Sequence, residues 1–431
     1  MKIALTTDSF VEGHGGVSTA VAALARALRQ RGHQVLIYSA ADPTHSHTDL
    51  DVIGLWALRY ARFPGGRVPI DPAKLTRELA RFHPEVIHNH SMSVMGVQAL
   101  AAARLLGIPI LGTCHVYLAG FLNYAPLPLE RQPMVEKAAW QYTVTFFNRF
   151  PYITTPSEVM RQRLLSAGLR VPSMAVSNGV DTSLFHPRRS LFQHHPQTLT
   201  LLHVGRLGYE KRVDVVLRAF GRLSHTFPQA RLVIAGDGPQ ASILQSLAKN
   251  LEVARRVDFT GQVPHNQLPN LYRQADLFVT ASIIETQGLV VLEAMASGLP
   301  IVGVDALALP ELIQSDVNGF LTPPEDEQAL ADAMARLLRS EDLRLEMGNA
   351  SRQIALQHGL PRVAELYEAI YLRLCKKFRP AWFSYPKIAL AWQGAGFDRT
   401  LNSMRALDQS AGKVFAPLLK WMRNRMPGRR E

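Results

Sequence analysis

Two acidic residues, Glu285 and Glu293, stand eight positions apart on either side of Gly288 in the stretch SIIETQGLVVLEAMASGLP, residues 282–300. The run DLFVTAS (276–282) ahead of them reads as a strand, and GLVVLEAMASG reads as a helix. Glu285 then falls in the turn at the strand end, and Glu293 in the first turns of the helix. Backbone amides of Gln287, Gly288 and Leu289 would point out of the helix start, where unpaired N–H groups and the helix dipole favour an anion. An ionised carboxylate accepts hydrogen bonds and donates none, which suits it to sugar hydroxyls. In LLHVGRLGYEKRVDVV (201–216), Arg206 and Lys211 follow another apolar strand. A guanidinium fork and an ammonium point charge placed there can clamp a diphosphate. LGTCHVY (111–117) puts His115 at the end of a third strand, where an imidazole can donate to a phosphate or a sugar hydroxyl. The plain alternative is a histidine that only packs. DSFVEGHGGVSTA (8–20) sets Gly13, Gly15 and Gly16 ahead of a helix whose first turn holds Ser18 and Thr19. Such a loop lets the backbone approach an anion closely; alternatively it is a tight turn that binds nothing.

Several chemistries are disfavoured by the same residues. A dinucleotide fingerprint needs a third glycine at position 18, which is serine. Paired carboxylates can serve a glycosidase, but a cationic clamp and glycine-flanked helix starts would be superfluous there. One Asp-x-Asp match, Asp49–Asp51, sits in a polar segment far from the strand ends, so no metal site is expected. A bound nucleotide sugar, in contrast, presents a diphosphate and hydroxyls together.

The elements that must position these groups come in two series. Residues 1–181 alternate short apolar runs (KIALTTD, QVLIYSA, EVIHNHS, IPILGTCH, YITTPS) with amphipathic helical patterns, and a second series does the same over 199–365. Alternation of this kind means parallel sheets covered on both faces. The expected fold is α/β, two Rossmann-like doubly wound domains facing across a cleft, with a basic C-terminal extension. Residues 182–198, in and around DTSLFHPRRSLFQHHPQ (181–197), read as the linker, and 366–431 as a final helix and tail. Ligands of such sheets bind beyond the C-terminal ends of the strands, so the residues named above would line the cleft. A chain of 431 residues is long enough for two cores, and 47% hydrophobic with 19% charged residues describes a globular protein. Two distant cysteines build neither a disulfide framework nor a zinc site, in keeping with a reducing cytoplasm. The N-terminus reads as a buried strand and not a signal peptide, and no run of 18 apolar residues is present to span a bilayer.

Separate signatures then point one way: GGVS, GTCH, TPSEVM, SNGVDTSLFHP, VGRLGYEKRVD, IAGDGP, FTGQVPHNQLPNLYRQADLFVTAS, and the E-x7-E element ETQGLVVLE. Together they resemble the retaining glycosyltransferases of family GT4, with the GT-B fold, over residues 1 to about 375. The resemblance implies that the Gly15–Gly16 loop approaches the donor diphosphate and that His115 sits beside the transferred sugar. It implies that Arg206 and Lys211 neutralise the leaving diphosphate, that Glu285 holds donor sugar hydroxyls, that Glu293 holds the ribose, and that the backbone near Val263 meets the base. Thr286, Gln287, Gly288 and Leu289 would shape the donor pocket. No metal or cofactor is implied, and retention is usually drawn as front-face attack. Many members carry Glu-Gly-Phe-Gly where this chain has Glu285-Thr286-Gln287-Gly288; the ETQGL form resembles the diacylglycerol glucosyltransferases. UDP-glucose is the expected donor and diacylglycerol or a related lipid the expected acceptor. A soluble or polysaccharide acceptor, and a non-catalytic protein that binds a nucleotide sugar or a membrane, are the alternatives.

Charge bears on the acceptor. The chain carries a net +12. Residues 376–431 hold twelve Lys or Arg against three acids, a net +9, and leave +3 for the other 375 residues. Within that tail Leu401, Met404, Leu407, Ala411, Val414 and Leu418 recur at spacings of three or four. Arg405, Lys413, Lys420, Arg423 and Arg425 accompany them, while Trp382, Trp392 and Trp421 suit a headgroup zone. Pro417 and Gly412 break the stripe into two shorter pieces. The expectation is a peripheral association with the anionic inner face of the cell membrane; a helix packed on the protein's own body is the alternative. A second basic stretch, WALRYARFPGGRVPIDPAKLTRELARF (56–82), also mixes aromatics with arginines. Nucleic acid is not an expected partner, because the tail's charge alternates with apolar residues and no binding fold accompanies it.

Overall fold

The computed structural model of the chain describes residues 1–8, 10, 15–40, 49–59, 67–69, 71–118, 133–188 and 198–377. The basic tail with its three tryptophans and residues 60–66 and 70 of the second basic stretch lie outside the described residues.

Two parallel sheets form two lobes. The first is seven-stranded, in the order β3-β2-β1-β6-β7-β8-β9. Its strands are β1 Lys2–Thr7, β2 Gln34–Ser39, β3 Val52–Gly54, β6 Val86–Asn89, β7 Ile110–Thr113, β8 Ile153–Thr155 and β9 Ser173–Ala175. The short strands β4 Ala57–Arg59 and β5 Arg67–Pro69 pair antiparallel beside it. The second sheet is six-stranded, in the order β12-β11-β10-β13-β14-β15. It comprises β10 Leu199–Val204, β11 Ala230–Ala235, β12 Val257–Gly261, β13 Leu277–Val279, β14 Ile301–Val304 and β15 Gly319–Thr322. Strand order reverses between β1 and β6 in one sheet and between β10 and β13 in the other. These reversals open crevices at the C-terminal strand ends, where doubly wound folds bind ligands.

Hydrophobic periodicity explains the helices that cover the sheets. In the helix Gly16–Gln30, Val21, Leu24, Ala25 and Leu28 form one buried face at helical spacing. The strands, covered on both sides, read as near-continuous apolar runs, as in Leu201, Leu202 and Val204. Two segments depart from simple lobe-by-lobe packing. Phe185, within the stretch read as linker, is 1% exposed and belongs to the core of the second lobe. Arg352 holds that stretch by donating to the carbonyls of Thr182 and Phe185. The final helix, Leu360–Lys377, starts before position 366 and returns to the first lobe. There Val363, Tyr367, Ile370 and Tyr371 pack with Ile3, Leu5 and Leu28. Burying such side chains is worth about 1.5–3 kcal/mol each, so the C-terminal helix stitches the lobes together from behind.

Candidate active site

The second lobe supplies a cation and a carboxylate in direct contact. Lys211 lies in a single 3-10 turn, Tyr209–Lys211, after β10. Glu285 lies in the loop after β13. The two loops are neighbours because β10 and β13 pair across the strand-order reversal, and Ile283 N–H donates to the Glu210 carbonyl at 3.2 Å. Lys211 Nζ donates to Glu285 Oε1 as an ion pair, with side chains 21% and 13% exposed. Burial pushes the Glu285 carboxyl up, but the Lys211 ammonium, by its charge and its hydrogen bond, outweighs it and holds the group below its ordinary range. Behind the pair, His203 Nδ1–H donates to the Val279 carbonyl, 3.0 Å away. Burial lowers that imidazole to about 4. Arg206, half-buried, follows β10 directly in the turn that precedes Lys211. Arg212, next in sequence, is instead engaged by Asp214 and Glu325.

Glu293 sits on the helix Leu289–Ala296 and is 5% exposed. Tyr272 Oη donates to its Oε2 at 2.8 Å, and His265 Nε2 lies 3.1 Å from its Oε1. His265 belongs to the loop after β12 that also carries half-buried Val263. Gly288 caps this helix at φ +91°, a conformation that excludes most side chains, and an added Cβ would lie 3.3 Å from Val291 Cγ2. The helix N-terminus therefore opens beside the Lys211–Glu285 pair, with its first amides and positive dipole end directed out of the helix.

On the first lobe, Gly15 (φ +84°) and Gly16 open the helix Gly16–Gln30 after β1. A methyl placed on Gly16 would lie 3.8 Å from Leu289 Cδ1, so this loop faces the Gly288–Leu289 helix start across the lobes. His115, after β7, is 8% exposed. Its imidazole turns into the first lobe, with Nε2 2.8 Å from Nδ1 of His90 and a further hydrogen bond to the Asn178 side chain. Burial lowers it to about 4. Its carbonyl meets the other lobe, accepting from Thr286 Oγ1 at 2.9 Å. His90 stacks between His88 and His115, and His88 is held by Tyr371 Oη at 2.8 Å and Thr113 Oγ1 at 2.6 Å.

Lys211, Glu285, Glu293, Gly288 and Leu289 thus converge at the C-terminal edge of the second sheet, with Gly16 and His115 opposite. His265, Tyr272 and His90 are site residues that the sequence pattern does not single out. His265 and His90 do fall at strand ends, in VPH (263–265) and HNH (88–90), and that position is the signal for them. Asp49 and Asp51 are paired with Arg26 and Arg29, and among the described residues no cluster of three or more His, Cys, Asp or Glu could hold a metal.

Two facing parallel-sheet lobes with a cation–carboxylate site at their strand-order reversals define the GT-B class of glycosyltransferases. Family models agree, with Glycosyltransferase Family 4 matching residues 14–184 and Glycosyl transferases group 1 matching residues 189–354. The chain belongs to this glycosyltransferase family. It is 28% identical to the alpha-monoglucosyldiacylglycerol synthase of Streptococcus pneumoniae over 85% of each chain. It is 31% identical to the sulfoquinovosyl transferase of Arabidopsis thaliana over 76% of this chain and 64% of that one. Among solved structures, HepE of Anabaena in complex with UDP-glucose superposes with a TM-score of 0.70 at 22% identity, covering 86% of this chain and all of that one (100%).

Proposed function

We propose that this glycosyltransferase moves glucose from UDP-glucose to diacylglycerol or a closely related lipid, with retention at the anomeric carbon. The observation that carries the reading is the Lys211–Glu285 ion pair beside the Gly288 helix start. An ammonium and a helix N-terminus stabilise negative charge developing on a departing diphosphate, and the neighbouring carboxylate accepts from sugar hydroxyls. Arg206, at the same strand end, adds a guanidinium fork to that clamp. Glu293, which Tyr272 and His265 hold, accepts from the ribose in this reading. In this reading the donor enters with its diphosphate against Arg206, Lys211 and the Gly15–Gly16 loop. The acceptor hydroxyl arrives from the first lobe on the face that the diphosphate leaves. Charge balance then comes from the protein, and no metal is required.

Similarity to a diacylglycerol glucosylating enzyme and to a sulfoquinovosyl transferase supports a lipid acceptor, as does the concentration of basic charge in residues 376–431. No helix among the described residues is long and apolar enough to cross a membrane, so in this reading access to the lipid is peripheral, at the inner face of the cell membrane.

The test is to incubate the full chain with a panel of nucleotide sugars, vesicles containing diacylglycerol and anionic lipid, and a chelator, then analyse the lipids by mass spectrometry. Hexosyl-diacylglycerol formed from UDP-glucose in the presence of chelator is the expected product. Transfer only to a soluble acceptor, or only with added metal, would overturn the corresponding part of the reading.

A further inference from the structure

The residues that follow Glu285 make their side-chain hydrogen bonds to the opposite lobe. Thr286 Oγ1 donates to the His115 carbonyl after β7 at 2.9 Å. The Thr286 carbonyl accepts from Ser157 Oγ after β8 at 2.6 Å. The Gln287 carboxamide bridges the loop after β9, accepting from Asn178 N–H at 2.8 Å and donating to Ser177 Oγ at 2.7 Å. Gln287 is 3% exposed, so water does not readily replace these bonds. A second arm lies beside the first. Glu311, on the short helix Leu309–Leu312, accepts from the backbone N–H groups of Glu158 and Val159. It thereby places a carboxylate at the N-terminus of the first-lobe helix Glu158–Ser166.

Both arms return to the same residue. The first is joined to Glu285 by the peptide bond. The second is tied to it because Ala308 N–H, at the start of the Leu309–Leu312 helix, donates to the Glu285 carbonyl at 3.2 Å. Asn178, held by Gln287, also hydrogen-bonds the His115 ring.

We propose that Thr286, Gln287 and Glu311 form an interlobe latch, and that its closure positions Glu285 and Lys211 against the first lobe. They are positioning residues. A glycine at 286 has no hydroxyl and a phenylalanine at 287 no amide, so a chain with those residues would lack the three side-chain bonds of the first arm. The latch couples lobe closure to the sugar end of the donor site, while the second-lobe groups around Glu293 stay assembled whether it is open or closed. Its kinetic consequence rests on the proposed role of Glu285; its structural consequence does not.

Hydrogen exchange read by mass spectrometry on the ligand-free full chain tests the structural part. In the double variant Thr286→Val/Gln287→Ala, the amides of Glu158 and Val159, which neither substitution touches, should exchange at least about fivefold faster, the factor that a single lost bond carries, since the arms open together. Thr286→Ser keeps the hydroxyl and should retain wild-type protection. Glu311→Ala, at an exposed side chain, should raise exchange at Asn178 without disturbing the core. Unchanged exchange at Glu158 and Val159 in the double variant overturns the latch. In kinetics, glucosyl transfer by the double variant should show kcat reduced about tenfold, with UDP affinity changed less than kcat, because of the groups that meet UDP only the Gly15–Gly16 loop belongs to the first lobe. Faster exchange with unchanged kcat would overturn the link to Glu285 and leave the proposed transfer intact. Faster exchange in a protein whose wild type transfers no glucose would overturn the proposed transfer and leave the latch standing.

Discussion

Replacing Lys211 by methionine isolates the physical claim at the centre of the site. Both partners of the Lys211–Glu285 pair are more than three-quarters shielded, at 21% and 13% exposure. Removing one member of a buried pair strands the other charge, at a cost of about 3–5 kcal/mol in well-buried cases. Both side chains keep some contact with solvent, at 21% and 13% exposure, so the lower end, about 3 kcal/mol at pH 8, is expected. The pH dependence carries more information than the size. In the wild type the Glu285 carboxyl is held below its ordinary range. Its contribution is therefore present above the unfolded value and lost as pH falls through the folded one. In Lys211→Met, burial acts without the ammonium and the folded value rises above the unfolded one. Stability is then greatest at low pH and is lost as pH rises through the folded value. Guanidinium unfolding at pH 5 and pH 8 should show the variant's deficit to be smaller at pH 5 by at least about 1 kcal/mol, because protonation relieves the stranded charge. Adding Glu285→Gln to Lys211→Met should recover at least half of the pH 8 deficit while transfer remains absent. A deficit below about 1 kcal/mol, or one equal at both pH values, would mean that solvent screens the pair, and the argument for a desolvated clamp would fail.

Three other outcomes are expected. Glu293→Gln keeps the shape and the contact with Tyr272 but loses the charge, so donor KM should rise about tenfold with little change in kcat, as for a charged hydrogen bond made equally in ground and transition states; an unchanged KM would remove Glu293 from the donor site. Burial holds His115 and His203 at about 4. Their folded values lie below the unfolded one, so stability is full above about pH 6.5 and declines toward pH 4, by about 2 kcal/mol per imidazole at pH 5; urea midpoints that are flat from pH 7.5 to 5 would contradict this. Deleting residues 381–431 should lower binding to anionic vesicles at least tenfold, at up to about 1 kcal/mol per lost cation near the surface, while leaving UDP binding unaltered; vesicle sedimentation measures the former, and unchanged sedimentation would remove the tail as an anchor.

Local pattern carried the reading a long way for physical reasons. Apolar runs ending in Arg206, Lys211 or Glu285 are strand ends whatever surrounds them, and Gly288 marks a helix start because its positive φ excludes most side chains there. Residues outside these patterns were harder to see. Tyr272 serves Glu293 from 21 positions away, and Gln287 reaches Asn178 across 109. Neither spacing leaves a periodic trace. His115 shows the difference most directly: its place at a strand end was legible, but the direction of its imidazole depended on His90, contributed by the neighbouring strand's loop.

The sequence by itself determined two parallel α/β lobes and which charged residues stand at their strand ends, because periodicity and glycine conformation are properties of a few adjacent residues. Only the tertiary structure decided that Lys211 and Glu285 pair, that Thr286 and Gln287 bind the opposite lobe, and that the last helix crosses back. Those depend on the order of strands in each sheet and on how the lobes close, and hydrogen bonds between distant residues form only once both are fixed.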